Sequence, residues 1–139
     1  MDLATQKERA VAFVLQMNAP DPAVLTDLIA DHFEFEFMMR APSVKVQKHD
    51  EFLKWFPKIM KSWFPNGLNM KVRTIVAEGP HVAIQAEADT IAGNGRHYAN
   101  RYHFYVRFEG DRIVQAREYN DTNHVRETFF PGDQSKAQN

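Results

Sequence analysis

Four strand-like segments joined by very short turns constrain the fold more than any other feature of this sequence. The segments cover residues 68–78, 82–91, 97–108 and 112–120, and the turns between them contain EGPH, AGNG and EGDR. Glycine and asparagine tolerate the left-handed backbone conformations that tight turns use. Because short turns can connect only antiparallel neighbours, the sequence predicts a four-stranded antiparallel meander.

The first half of the chain predicts three helices and one strand. The helices are expected at residues 5–17, directly after Asp21 as an N-cap, and from Asp50, also as an N-cap, to residue 63. Between the last two helices, phenylalanines alternate with glutamates over residues 33–37, which is typical of a strand with one buried face. This order predicts the α+β class, with a curved antiparallel sheet wrapped around three helices.

Length and composition narrow the possible functions. A chain of 139 residues suits one domain, expected at residues 1–130, followed by a polar, disordered tail at residues 131–139. A net charge of −1 without a basic run argues against nucleic acid as a partner. No apolar stretch approaches the length of a membrane span and the first twenty residues lack a signal-peptide pattern, so a cytoplasmic protein without a membrane partner is expected.

Metal and cofactor sites are not indicated. The chain has no cysteine, which excludes thiolate ligands and a cysteine nucleophile. Its six histidines form no HExxH motif or close ligand cluster, and AGNGRH is too short to be a phosphate-binding loop. We therefore expect neither a metal nor another cofactor.

Alternation divides the last two strands into an apolar face and a polar face. The more apolar face, which we assign to the concave side of the sheet, carries Asn100, Tyr102, Phe104, Val106, Phe108, Val114, Ala116, Glu118 and Asn120. The opposite face carries Arg101, His103, Tyr105, Arg107, Arg117 and Tyr119. Because arginine and tyrosine are enriched in interfaces, the second face is expected to form a homodimer.

Glu118 is the main candidate for chemistry, because this assignment places a carboxyl group in an apolar cavity. Burial would raise its pKa, as general acid–base catalysis requires. Asn100 and Tyr102 could donate hydrogen bonds to a developing oxyanion. The alternative is structural: Glu118 pairs with an arginine or caps a buried network with Asn100. Asp121, which lies off this face, is interpreted as an N-cap for a following helical turn, and His124 as a surface residue.

Residues 98–125 carry a pattern that resembles a known family. The pattern consists of Tyr98-x-Asn100-x-Tyr102, a turn at Gly110, Ile113, and Glu118-Tyr119-x-Asp121-Thr122. It is similar to the end of SnoaL-like, ketosteroid-isomerase-related proteins, and the order of elements matches along residues 5–125. The resemblance implies the nuclear-transport-factor-2-like, or cystatin-like, cone. That cone hosts isomerases, polyketide cyclases, epoxide hydrolases and non-catalytic binding domains, so fold alone does not decide function.

Two departures from the family narrow the chemistry. Phe37 stands where the resemblance places the aspartate base of ketosteroid isomerase, and Glu87 stands where it places an arginine of the epoxide hydrolases. Both of those mechanisms are therefore disfavoured. The polyketide cyclases use an acid on the last strand, and Glu118 is the residue of this chain that could serve in that role. For Glu87 and Asp89 the resemblance predicts the inner face, whereas alternation predicts the outer one.

These observations predict a cofactor-free acid–base enzyme, isomerase-like or cyclase-like, for a small lipophilic carbonyl compound. Glu118, Asn100 and Tyr102 are the expected catalytic residues. The expected substrate contacts are Phe35, Phe37, Trp55, Ile59, Glu87, Phe104, Ala116 and Asn120. Two alternatives remain: a non-catalytic binder of a lipophilic small molecule, and a scaffold whose cone is filled by its own side chains.

Overall fold

The computed structural model describes residues 1–39 and 46–132. It contains four helices and six strands, which in chain order are α1 Leu3–Leu15, α2 Pro22–Leu28, β1 Ile29–Phe37, β2 Gln47–Lys48, α3 His49–Trp63, β3 Lys71–Glu78, β4 His81–Ile91, β5 His97–Glu109, β6 Arg112–Asn120 and α4 Thr122–Phe129. Of the tail expected at residues 131–139, residues 133–139 lie outside the described part of the chain. No helix within the described ranges is long and apolar enough to cross a membrane.

The six strands form one sheet in the order β2-β1-β6-β5-β4-β3. The antiparallel meander of β3 to β6 is confirmed. The expectation of a wholly antiparallel sheet is wrong, because β1 runs parallel to β6. Residues 47–48 form the short β2, which pairs antiparallel with β1. The parallel pairing sets Phe37 opposite Glu118 and so brings the end of β1 to the candidate site.

The helix boundaries follow local capping chemistry. Asp21 caps α2 as predicted, its carboxylate accepting a hydrogen bond from the Ala23 amide at 2.9 Å. The prediction that Asp50 caps α3 is wrong, because α3 begins at His49 and its N-cap, Lys48, makes no side-chain hydrogen bond. The turn expected after Asp121 is a full fourth helix.

The core lies between the helices and one face of the sheet. On β5 every even-numbered residue from Tyr98 to Phe108 is buried, which confirms the face assigned to the concave side. Phe33 and Phe35 of β1 pack against Phe52 of α3, with ring centroids 5.0–5.1 Å apart. Buried aromatic rings of this kind dominate the stability of a small core.

Three irregularities in strand register bend the sheet. They lie between Ile29 and Glu34 on β1, between Val72 and Thr74 on β3, and between Arg107 and Phe108 on β5. Bulges increase twist and bend a strand locally. The bend gives the sheet a concave side, which the helices cover without filling it.

Candidate functional site

A cavity of about 260 Å³ lies between α3, α4 and the concave side of the sheet. Aromatic side chains form much of its wall, among them Phe37, Trp55, Trp63, Phe64, Phe129 and Phe130. The polar residues in the wall are Tyr98, Tyr102, Glu118, Asn120 and Thr122. An apolar cavity with a few convergent polar groups is the usual form of a small-molecule site, and this volume lies slightly below the common range of about 300–1,000 Å³.

Glu118 is the ionisable carboxyl group in this wall. It lies on β6 opposite Phe104, and only 5% of its surface is exposed. Its Oε2 accepts a hydrogen bond from Asn120 Nδ2 at 2.9 Å. Burial raises the pKa of Glu118 to about 8, and the Asn120 hydrogen bond opposes that rise. Glu118 forms no ion pair with any described residue. The alternative in which an arginine neutralises Glu118 is therefore not supported by the described residues.

Two tyrosines form a hydrogen-bonded pair beside Glu118. The hydroxyls of Tyr98 and Tyr102 are 2.5 Å apart, and Asn100 Nδ2 donates to the Tyr98 hydroxyl at 2.9 Å. Burial raises the pKa of Tyr98 to about 12 and that of Tyr102 well above its usual range. Both tyrosines therefore stay neutral and can serve as hydrogen-bond donors.

Asn100 is buried but does not line the cavity. Its Nδ2 also donates to the carbonyl of Asp121, and its Oδ1 accepts from the backbone amides of Arg101 and Asp121. The amide thus joins β5 to the start of α4, and both of its donor hydrogens are used within the protein. The prediction that Asn100 faces a ligand does not fit this geometry. Instead it holds Tyr98 in place.

Apart from Glu87, the predicted substrate contacts divide into two groups. Phe37, Trp55, Ile59 and Asn120 line the cavity. Phe35, Phe104 and Ala116 lie on the correct face but are fully packed in the core behind it.

Glu87 lies on the outer face, so its expected position inside is wrong. Its carboxylate is 3.0 Å from Arg73 Nη2, while the neighbouring Ala86 and Ala88 are buried. Asp89 is also outside, 2.6 Å from His97 Nε2. Alternation, rather than the family resemblance, predicts both positions correctly, because successive strand residues point to opposite faces.

Several wall residues were not predicted as site residues from the sequence. Tyr98 shares its face with Tyr102, and that parity was the available signal. Val125 and Phe129 of α4 lie four residues apart, a spacing that places both on one side of a helix. Phe129 stacks on Trp63 with ring centroids 4.2 Å apart and closes this side of the cavity.

His124 is half-buried rather than a simple surface residue. Its ring stacks on Tyr98 at 5.2 Å, and its Nε2 accepts a hydrogen bond from the Ala99 amide at 3.1 Å. Asp121 caps α4 as predicted, accepting from the amides of Asn123 and His124 at 3.0 and 3.2 Å. These contacts hold α4 against β5.

Within residues 1–39 and 46–132 there is no group of three or more histidine, cysteine, aspartate or glutamate side chains that could hold a metal ion.

Comparisons with known proteins identify the family and the fold. A family model described as a SnoaL-like domain matches residues 10–116. A proposed isomerase from Bacillus subtilis has a TM-score of 0.77 at 21% identity, covering 93% of this chain and 96% of its own. An NTF2-like protein of unknown function from Burkholderia pseudomallei K96243 has a TM-score of 0.76 at 14% identity, covering 94% and 99%.

A third solved structure, a proposed SnoaL-like polyketide cyclase from Jannaschia sp. CCS1, has a TM-score of 0.71 at 15% identity, with coverage of 92% and 96%. A search of curated protein sequences found no significant match. At these identities the structural likenesses show the fold alone, which is the nuclear-transport-factor-2-like α+β cone expected from the sequence.

Proposed function

This chain belongs to the SnoaL-like family, and on that premise we propose that it is an acid–base enzyme of the isomerase or polyketide-cyclase kind. Its substrate is a small, mostly apolar, carbonyl-containing molecule held in the cavity. The observation that carries the proposal is Glu118, a carboxyl group without a cationic partner among the described residues, in an apolar wall. Two of the structurally similar proteins are a proposed isomerase and a proposed polyketide cyclase, which supports this reaction class.

The proposed chemistry is proton transfer next to a carbonyl group. The Glu118 carboxylate removes a proton from the carbon beside the carbonyl, and the electron pair moves onto the carbonyl oxygen. A pKa of about 8 makes this carboxylate a stronger base than an ordinary glutamate. The resulting acid returns the proton to another carbon in an isomerisation. In a ring closure, the enolate carbon instead attacks a second carbonyl carbon of the same molecule, the π electrons of that carbonyl move onto its oxygen, and the protonated Glu118 gives its proton to that oxygen.

Tyr102 is the proposed donor to the enolate oxygen. It shares the concave face with Glu118 and lies diagonally across the β5–β6 pair, since Phe104 is opposite Glu118 and Tyr102 is opposite Asn120. Diagonal neighbours on one face are about 7–8 Å apart, which leaves room for a substrate carbonyl between the two side chains. Tyr98 and Asn100 act as positioning residues through their hydrogen bonds to Tyr102 and Tyr98.

Exchange of hydrogen for deuterium beside a carbonyl tests this proposal without knowledge of the natural substrate. Apolar cyclic ketones such as 2-decalone would be incubated with the protein in D₂O, and the loss of the proton signal followed by NMR. Glu118→Gln should lower the catalysed rate by about 10²-fold or more, the usual contribution of a general base. Glu36→Gln is the matched control, because Glu36 lies on the outer face, 3.6 Å from Arg117. Unchanged exchange in Glu118→Gln would refute the catalytic role.

The nearly apolar wall also favours a second candidate, a non-catalytic binding domain for a lipophilic small molecule. Both tryptophans of the chain, Trp55 and Trp63, line the cavity, so intrinsic fluorescence reports directly on its occupancy. An enzyme should bind 2-decalone in the Glu118→Gln variant but lose exchange. A binding domain should bind the ketone in both proteins and catalyse exchange in neither.

We also propose that the outer face of the sheet is a homodimer interface. Tyr119 is 40% exposed there, and Tyr105 and Arg117 lie beside it. The Arg117 guanidinium is 5.8 Å from the centroid of the Tyr105 ring. Tyrosine and arginine are residue types that interfaces favour.

A further inference from the structure

The cavity has an uneven distribution of charge. Its wall contains Glu118 but no lysine, arginine or histidine among the described residues. Glu118 Oε2 is hydrogen-bonded to Asn120, whereas Oε1 has no hydrogen-bond partner in the described part of the chain. Asn120 Oδ1 is a second buried oxygen without a donor there. Two oxygen acceptors on neighbouring side chains therefore have no positive partner among the described residues.

The walls around these oxygens are aromatic. Nine of the residues lining the cavity are phenylalanine, tyrosine or tryptophan, including both Trp55 and Trp63. The face of an aromatic ring carries negative charge density and attracts organic cations, most strongly when water is excluded. A carboxyl group within aromatic walls is the arrangement by which proteins bind ammonium groups with apolar substituents.

We propose that this cavity binds a small organic cation, a tertiary or quaternary ammonium with apolar substituents, and that the Glu118 carboxylate is its counter-ion. The proposal goes beyond proton transfer to carbon, because it assigns the charge of the ligand rather than a reaction. It uses the same cavity and the same carboxyl group, but it does not depend on whether the protein is catalytic.

The proposal has a definite pH dependence. In the empty cavity Glu118 is protonated up to about pH 8, so a ligand with a permanent positive charge must displace that proton to form the ion pair. The apparent affinity should therefore rise about tenfold per pH unit below 8 and level off above it. An anionic ligand gains no counter-ion in this wall, and a neutral ligand should show no such dependence.

Other groups near Glu118 do not titrate in this range. From β5, Tyr98 and Tyr102 face Glu118. The pKa of Tyr98 is raised to about 12, and that of Tyr102 is raised well above its usual range. The wall residues from β1, α3 and α4, such as Phe37, Trp55 and Val125, do not titrate. His124 and Asp121 lie behind Tyr98, outside the wall.

The test compares benzyltrimethylammonium with neopentylbenzene, its neutral isostere in which carbon replaces nitrogen. Binding is measured from pH 6 to pH 9 by tryptophan fluorescence and by calorimetry in two buffers of different ionisation enthalpy. At pH 8.5 the cation should bind at least tenfold more tightly than the isostere. Near pH 6.5 its binding should release about one proton to the buffer. The isostere should bind equally at all pH values.

Variants assign the effect to the cavity. Glu118→Gln should reduce the affinity of the cation to that of the isostere and abolish proton release, whereas Glu36→Gln should leave both unchanged. Trp55→Leu should weaken binding of the cation more than binding of the isostere. Equal affinities for the two ligands in the wild type at pH 8.5, or unaltered cation binding in Glu118→Gln, would overturn the proposal. Cation selectivity without ketone exchange would refute only the proposed reaction, and exchange without selectivity would refute only this inference.

Discussion

At the scale of single residues, position in the strand alternation separates Glu118 from the other strand glutamates. Glu36 and Glu87 lie on the outer face, 3.6 Å from Arg117 and 3.0 Å from Arg73. Glu118 lies on the inner face, where it accepts a hydrogen bond from Asn120 and forms no ion pair with any described residue. The chemical difference between these three carboxyl groups therefore comes from the face that each one occupies.

The raised pKa of Glu118 predicts that the protein loses stability as the pH rises. In the unfolded chain this carboxyl group titrates near 4.5, and in the folded protein it titrates near 8. Between these values the folded state holds a proton that the unfolded state has lost. The contribution of Glu118 to the free energy of unfolding is complete below pH 4.5. It falls by about 1.4 kcal/mol per pH unit above that value, until the pH passes 8. Urea denaturation at pH 5, 6, 7 and 8 measures this slope.

Glu118→Gln supplies the control for that slope, because glutamine does not titrate. The variant should lose most of the pH dependence in this window and become more stable than the wild type at pH 8. Glu36→Gln should keep the wild-type slope. If wild type and Glu118→Gln fall in parallel from pH 5 to pH 8, Glu118 does not have the raised pKa.

Tyr102→Phe tests the proposed hydrogen-bond donor. The variant removes a buried hydroxyl bonded to Tyr98, so we expect a stability loss of about 1 kcal/mol and a fall in ketone exchange of about 10²-fold with little change in ketone affinity. Tyr105→Phe is the control on the same strand, since its hydroxyl bonds His81 on the outer face. A stability loss with an unchanged exchange rate would leave Tyr102 with a structural role only.

At the scale of secondary-structure elements, local signals predicted the meander well. Turn residues and alternation placed β4, β5 and β6 within one residue of their observed bounds. These signals did not predict the register shift between Arg107 and Phe108. Beside that shift, the consecutive β6 residues Ile113 and Val114 are both buried. A bulge breaks the alternation on which the prediction depends, and its position is determined by packing between strands.

The N-cap of α4 offers a prediction at this scale. Asp121→Ala removes a carboxylate that accepts from two amides, which should cost about 1 kcal/mol and loosen a helix that forms one wall of the cavity. Amide exchange should become faster in α4, and bound 2-decalone should dissociate faster. Asp2→Ala is the matched control, because Asp2 caps α1 through the Thr5 amide. It should cost similar stability without affecting dissociation.

If Asp121→Ala and Asp2→Ala change ligand dissociation equally, α4 does not control access to the cavity. Equal amide exchange in α4 of the wild type and Asp121→Ala would show that its packing, through the Trp63–Phe129 stack, is sufficient without the cap.

At the scale of the whole molecule, the site depends on contacts between distant parts of the chain. Phe37 reaches Glu118 because β1 lies parallel to β6, a pairing for which the local sequence carries no turn signal. Whether an inward residue lines the cavity or fills the core depends on the helices above it. Sequence could therefore identify the face of Phe104 and Ala116 but not their depth, whereas Glu118 and Tyr102 lie beneath the space that α3 and α4 leave open.

The same strand that carries Glu118 inward carries Tyr119 outward, so β6 connects the cavity with the proposed dimer interface. Sedimentation velocity should show a dimer for the wild type, and Tyr119→Glu should shift it towards monomer because a charge is costly to bury in an interface. Val24→Glu on α2 alters a similarly exposed apolar residue away from this face and should remain dimeric.

The pH dependence of stability separates loss of the interface from damage to the cavity. A monomeric Tyr119→Glu that keeps the slope assigned to Glu118 would show that its inner face is intact, because that slope requires the carboxyl group to stay buried. A wild type that is monomeric at all concentrations, or a Tyr119→Glu variant that stays dimeric, would contradict the outer-face interface. Since the cavity wall comes from elements of one protomer, neither result would alter the proposed site.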